Sequence, residues 1–146
     1  MGKKKKTPTK TKKTSEKKRE VDVQKEVGKI KGKAKEYAAD KKKTEHLLRE
    51  ALEKAEKNKG QLKDVWDNLM ALIRMVGAWA TGKYKAVPLK TIILAIAAII
   101  YLVNPFDVIP DFIPFVGYID DASVIAWTIK SIYDDLQDFI GWEKSA

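Results

Sequence analysis

The stretch from residue 104 to residue 121 constrains the fold of this chain more than any other. It holds three of the five prolines and four aspartates, all set among large apolar side chains. Proline removes a backbone hydrogen-bond donor and pushes the preceding residue out of the helical region. Pro110 and Pro114 therefore prevent one continuous helix here. We call this stretch the proline corner, and it predicts a corner between two helices.

The segment before the proline corner is apolar on every side. No charge occurs from Thr91 to Phe106, and large aliphatic residues cover all faces of a helix predicted from about Leu89 to Val103. A helix of this kind is buried either in protein or in lipid. Its uncharged part up to Val103 reaches only ~20 Å, whereas the hydrocarbon of a bilayer is about 30 Å thick. Length alone therefore favours a core helix or a partial membrane insertion and does not establish a full span.

Two further segments have the three- and four-residue spacing of amphipathic helices. One runs from Leu62 to Ala80 and is ended by Thr81 and Gly82. The other follows the proline corner to about Phe139, with Gly141 past its end. Since no segment is a credible strand, the sequence predicts an all-α domain built on an apolar helical hairpin.

The positive charge belongs to the N-terminal part of the chain. Residues 1–60 carry 22 Lys and Arg against 10 Asp and Glu, whereas the rest of the chain is slightly acidic. Residues 1–19 have almost no apolar side chains, which predicts a disordered lysine-rich tail. Residues 20–60 carry a thin apolar stripe between charges, which predicts a long, charged amphipathic helix or linker. Residues 61–146 form the predicted helical domain.

Few residues suggest catalysis or a cofactor. The chain has no cysteine and a single histidine, His46, so neither a disulfide nor a zinc site of Cys and His ligands is available. No glycine-rich phosphate loop is present. The sequence therefore predicts no catalytic residue, no cofactor and no enzyme.

Four carboxylates in the proline corner invite a metal hypothesis. Asp107, Asp111, Asp120 and Asp121 are oxygen ligands of the kind that Mg²⁺ or Ca²⁺ prefers. Structural roles are favoured instead. Asp120 or Asp121 is placed to cap the following helix, and Asp107 lies in a first turn, where the helix dipole stabilises a carboxylate. A cation site built from the four aspartates remains the alternative.

The proline corner resembles the YkvA-like bacterial proteins, which share a domain of unknown function. Their pattern places prolines, aspartates and a glycine at fixed spacing among apolar residues. Here the pattern is carried by Pro105, Asp107, Ile109, Pro110, Asp111, Ile113, Pro114, Gly117, Asp120 and Asp121. The resemblance extends over roughly residues 62–142. It implies a membrane-associated protein with short hydrophobic helices, and it brings no catalytic residues with it.

These observations predict a non-enzymatic, membrane-associated protein that inserts residues 89–119 into or against the membrane. The lysine tail would remain on the cytoplasmic side and contact anionic headgroups. The alternative is a soluble helical domain whose basic tail binds nucleic acid. Membrane insertion is preferred because a bundle this small would struggle to cover an uncharged helix on all sides.

The lengths of the two helices around the proline corner predict how they pair. An antiparallel hairpin would return Asp134, Asp135 and Asp138 to the start of the apolar helix. These three acids lie in the last turns of their predicted helix, where the helix dipole disfavours a carboxylate, so they should have a positively charged partner. We therefore predict an ion pair between Lys90 and Asp134 or Asp135.

Overall fold

The structure is a computed structural model that describes residues 30–104 and 121–145, together with residues 24, 25 and 28. All regular secondary structure in these ranges is helical, as predicted. Helix α1 covers residues 30–38, and a short 3₁₀ turn at Lys63–Val65 precedes α3. The other helices are α2 (Lys41–Lys57), α3 (Trp66–Ala80), α4 (Leu89–Val103), α5 (Asp121–Ser131) and α6 (Tyr133–Ser145).

The apolar helix α4 lies at the centre of the bundle. It contacts α2, α3 and α5. Its fully buried side chains point in every direction around the helix: Ile92, Ala95, Ile96, Ala97, Ala98, Ile99 and Leu102. The bundle thus buries most of this apolar helix, while Ile93, Leu94 and Val103 stay half-buried and Leu89 is exposed.

Helix α2 provides much of that cover. Its buried face consists of Thr44, Leu47, Leu48, Ala51 and Ala55 and packs on both α3 and α4. The two alanines leave little side chain between the helices, so the backbones can approach closely. Residues 41–57 therefore share one hydrophobic core with the rest of the bundle.

The single long helix predicted before residue 58 is interrupted. Asp40 has an extended backbone and caps α2, since its carboxylate accepts a 3.2 Å hydrogen bond from the Lys43 amide. The buried Thr44 hydroxyl donates a 2.6 Å hydrogen bond to the carbonyl of Tyr37. These two contacts fix the turn between α1 and α2, and short polar side chains favour caps and turns for this reason.

Helix α3 ends where the sequence predicted. Gly82 has a φ of +80°, in the left-handed region that glycine occupies without steric cost. Its amide donates to the carbonyl of Trp79, and the Lys83 amide donates to that of Ala78. This pair of hydrogen bonds is the Schellman arrangement, which satisfies the last carbonyls of the helix.

The predicted helix after the proline corner bends at Ile132 and continues beyond its predicted end. The Ser131 hydroxyl donates to the carbonyl of Trp127 at 2.9 Å, a contact that often bends helices. Gly141 lies inside α6 and not past its end. Because α6 begins at Tyr133, Asp134 and Asp135 lie in its first turn, where the dipole stabilises carboxylates. The prediction that they lie in the last turns of one helix is wrong.

Candidate functional site

Most of the site residues chosen from the sequence lie outside the described residues. These are Pro105, Asp107, Ile109, Pro110, Asp111, Pro114, Gly117 and Asp120. Only the backbone of Asp121 is described, and it opens α5. The capping roles and the alternative cation site thus stay predictions. In the part of the chain that the structure describes, no group of three or more acidic or histidine side chains is arranged to hold a metal ion.

A hydrogen bond joins the start of α4 to the start of α6. The Thr91 hydroxyl donates to Oδ2 of Asp135 at 2.6 Å, and Thr91 is buried. Helices α4 and α5 also contact each other, and Asp135 lies shortly after the end of α5, so the end of α5 is close to the start of α4. Val103, at the other end of α4, lies about 18 Å from Thr91 along the helix axis. The proline corner therefore leaves α4 at the end opposite to this hydrogen bond.

The predicted partner of the acidic residues is one position away from the observed one. Thr91 faces the core and meets Asp135, whereas the neighbouring Lys90 side chain is exposed. Within residues 30–104 and 121–145, no ion pair of 4 Å or less joins Lys90 to Asp134 or Asp135. The predicted ion pair is wrong, and the Thr91 hydroxyl, not Lys90, binds Asp135 at the start of α4.

Lys90 and the acidic residues instead line a cavity of about 460 Å³. Four helices, α1, α4, α5 and α6, form its wall, together with Ile132 between α5 and α6. The lining side chains are Lys31, Lys90, Thr91, Leu94, Lys130, Ser131, Ile132, Tyr133, Asp134 and Asp135. We call it the lysine cavity. Sequence reasoning placed Lys90 near the acids but missed Lys31, which α1 brings to the same place.

An aromatic cluster fixes the loop between α3 and α4 against α6. The ring of Tyr84 lies 5.2 Å from Phe139 and 4.9 Å from Trp142, measured between centroids. Burial raises the pKa of the Tyr84 phenol, and the negative charges of Asp138 and Asp135 raise it further. The neutral phenol is therefore the form that suits the folded protein.

Arg74 joins the middle of α3 to the end of α6. Its Nε and Nη2 donate to the two carboxylate oxygens of Glu143 at 2.8 and 3.0 Å. The hydrogen bond to Glu143 raises the pKa of the guanidinium. Because both groups are partly exposed to solvent, the pair orients α6 more than it stabilises the fold.

Comparison with known proteins gives the family. The chain is 38% identical over 77 residues to the uncharacterised membrane protein YkvA of Bacillus subtilis (strain 168). The match covers 51% of this chain and 71% of that relative. This chain belongs to the YkvA-like family. A family model described as "Protein of unknown function (DUF1232)" also matches residues 91–127. No solved structure matches the chain.

The family match can be placed on the fold. Residues 91–127 include nearly all of α4, the proline corner and the first half of α5. The match to the YkvA-like family thus includes the central helix, and nothing in these comparisons points to an enzymatic activity. Among the residues that the structure describes, no helix has both the length and the apolar character needed to cross a bilayer.

Proposed function

We propose that this protein is a non-enzymatic, membrane-associated helical protein that meets the bilayer at the proline-corner end of its bundle. Its relative YkvA is described as a membrane protein, which supports membrane association here. The observation that carries the more specific proposal is the burial of α4. Most of its apolar side chains are buried within the bundle, so we assign lipid contact to the residues that follow it.

The enclosure of α4 narrows the region proposed to contact lipid. Within residues 89–119, the central helix ends at Val103, so the remaining candidates for lipid contact are the residues that follow it in the chain. By sequence, residues 105–119 include nine large apolar side chains. Burying one such side chain is worth about 1.5–3 kcal/mol, so a few of them suffice to hold a small protein on a bilayer.

The lysine tail has a secondary role in this proposal. Each Lys near an anionic surface contributes ~1 kcal/mol, and salt screens that attraction. The tail therefore strengthens binding to anionic membranes and places the N-terminus on the cytoplasmic side. The apolar attachment through residues 105–119 does not depend on salt in this way.

Flotation with lipid vesicles tests the proposal. The full chain and a variant lacking residues 2–19 are mixed with phosphatidylcholine vesicles at low and high salt. Both are expected to float with the vesicles at either salt concentration. Phe112→Ser combined with Phe115→Ser should reduce flotation. The matched control is Leu52→Ser, which removes an exposed apolar side chain from α2.

Two results would contradict the proposal. Flotation only with anionic vesicles, abolished by salt or by deletion of the tail, would assign the binding to electrostatics alone. Binding of duplex DNA or RNA through the tail, with no vesicle binding, would favour the alternative of a soluble nucleic-acid-binding domain.

A further inference from the structure

Two lysines and two aspartates of the lysine cavity do not pair with each other. Lys31 projects from α1 and Lys90 from α4, while Asp134 lies in the first turn of α6. Across the described parts of the chain, neither Lys31 nor Lys90 forms an ion pair with Asp134 or Asp135 within 4 Å. These four charges therefore line one cavity without neutralising each other directly.

The size and lining of the lysine cavity suit a small organic ligand. Its volume of about 460 Å³ falls within the range of small-molecule sites. The hydroxyls of Ser131 and Tyr133 add neutral hydrogen-bonding groups, and Leu94 adds an apolar wall. Two of the three large hydrophobic side chains exposed in the described ranges, Leu89 and Tyr133, lie at or beside the cavity. The cavity thus combines charged, polar and apolar surfaces.

The pattern of charge selects the class of ligand. An ammonium group is a point charge with three donors, and several ammonium groups together suit a phosphate, which has several acceptor oxygens. A bare phosphate would meet the lysines but would be repelled by Asp134 and Asp135. A bare amine would be attracted by Asp134 and Asp135 but repelled by the lysines. A molecule with both groups places each charge next to a group of opposite sign.

We infer that the lysine cavity binds a small zwitterion that carries a phosphate monoester and a primary ammonium group, such as phosphoethanolamine. The phosphate contacts Lys31 and Lys90, and the ammonium group contacts Asp134. Asp135 is held in place by the Thr91 hydroxyl and adds to the negative side of the cavity. Binding requires no covalent step.

The position of the cavity favours a soluble ligand over the headgroup of a membrane lipid. The cavity lies at the start of α4, about 18 Å from the end that leads into the proline corner. When the proline corner contacts a bilayer, the cavity faces away from that surface. The choice of a soluble ligand over a lipid headgroup thus rests on the proposed function, whereas binding of the zwitterion itself does not require the protein to be on a membrane.

Calorimetric titration of the full chain with phosphoethanolamine tests this inference. Phosphoethanolamine is expected to bind at least about tenfold more tightly than inorganic phosphate or ethanolamine, because each of those loses one charged contact. Lys90→Gln and Lys31→Gln should each weaken binding about tenfold. The matched control is Lys57→Gln, at the end of α2 and outside the cavity lining.

Asp134→Asn distinguishes a zwitterion site from a general anion site. This variant should lose affinity for phosphoethanolamine and gain affinity for inorganic phosphate, because the repulsive carboxylate is gone. Equal binding of phosphate and phosphoethanolamine by the wild type, or no saturable binding up to about 10 mM, would overturn the inference. Binding to vesicles through phosphatidylethanolamine, without binding of soluble phosphoethanolamine, would overturn the assignment to a soluble ligand. Each readout is separate from flotation on phosphatidylcholine, so the two proposals can fail independently.

Discussion

Thr91 and Asp135 are 44 residues apart, and a 2.6 Å hydrogen bond from hydroxyl to carboxylate joins them. Thr91 lies in the first turn of α4, and Asp135 lies in the first turn of α6. The contact therefore connects the central helix to the bend that follows α5. It also orders one wall of the lysine cavity, since both residues line it.

Removing this hydroxyl should destabilise the bundle. Thr91→Val keeps the shape of the side chain but leaves the carboxylate of Asp135 without its buried donor. A hydrogen bond to a charged group contributes about 1.5–3 kcal/mol, and partial exposure of Asp135 lowers the expected loss to about 1–2 kcal/mol. Urea unfolding followed by circular dichroism measures it. Thr91→Ser retains the hydroxyl and serves as the control, and equal stability of the Val variant and the wild type would show that the bond contributes nothing.

Removing the hydroxyl of Thr128 should stabilise the bundle, in contrast to removing that of Thr91. Its side chain is fully buried in α5, and its hydroxyl has no hydrogen-bond partner among the described residues. A buried polar group without a partner costs free energy, so Thr128→Val should stabilise the protein by about 1 kcal/mol. The same urea experiment measures the gain. A loss of stability on this substitution would mean that the hydroxyl does have a partner.

Alanine substitutions at two glycines, one inside α3 and one just after its end, should change the free energy of unfolding in opposite directions. A Cβ on Gly77 would lie 3.5 Å from Cδ1 of Leu48, an ordinary contact with α2. Gly77→Ala should therefore raise the free energy of unfolding by about 0.5–1 kcal/mol through helix propensity. Gly82→Ala should lower it by about 1 kcal/mol, because a side chain is strained at φ +80°. Thermal unfolding of both variants checks the signs, and a stable Gly82→Ala protein would contradict the described end of α3.

The buried phenol of Tyr84 predicts a loss of stability at high pH. Its pKa is raised in the folded state above the unfolded value of about 10. Between these two values the unfolded chain binds fewer protons, so the free energy of unfolding falls as pH rises above about 10. The contribution of the neutral Tyr84 phenol to the free energy of unfolding is fully present below about pH 10 and is lost as the pH passes the raised pKa. The free energy of unfolding of the wild type and of Tyr84→Phe is measured at several pH values. The difference between the two proteins isolates the contribution of Tyr84, because all other groups titrate in both.

The control for that experiment is Tyr133→Phe, which changes an exposed tyrosine. The wild type and this control should lose stability with the same slope above pH 10, and Tyr84→Phe should lose less. Identical slopes for all three proteins would show that Tyr84 ionises as easily in the folded state as in the unfolded state.

The sequence predicted the helices of the core but not what covers them. An apolar run identifies a helix that must be surrounded, and it does not say whether protein or lipid surrounds it. The cover comes partly from α2, whose thin stripe of Leu48, Ala51 and Ala55 predicts only a charged amphipathic helix or linker. Alanine contributes little to the hydrophobicity of a sequence pattern, yet its small side chain allows α2 to pack closely against α4.

The lysine cavity is formed by residues from separate helices, and the periodicity of a sequence does not show which helices lie side by side. Helix lengths were enough to predict that Asp135 returns to the start of α4. The interruption at Ile132, which places Asp134 and Asp135 in a first turn, leaves no apolar signature in the sequence. Lys31 reaches the lysine cavity only because Asp40 interrupts the predicted helix, so its role was not visible in the charge pattern.

The most direct test of the central claim asks which end of the bundle enters the bilayer. The chain has no cysteine, so a single introduced cysteine can carry an environment-sensitive fluorophore. Phe112→Cys labels the proline corner, and Ser131→Cys labels the exposed rim of the lysine cavity at the other end. On vesicles with doxyl-labelled acyl chains, we expect strong quenching of the label at position 112 and none at position 131. Quenching at position 131 without quenching at position 112, or at neither position while the protein still floats, would contradict attachment through the proline corner.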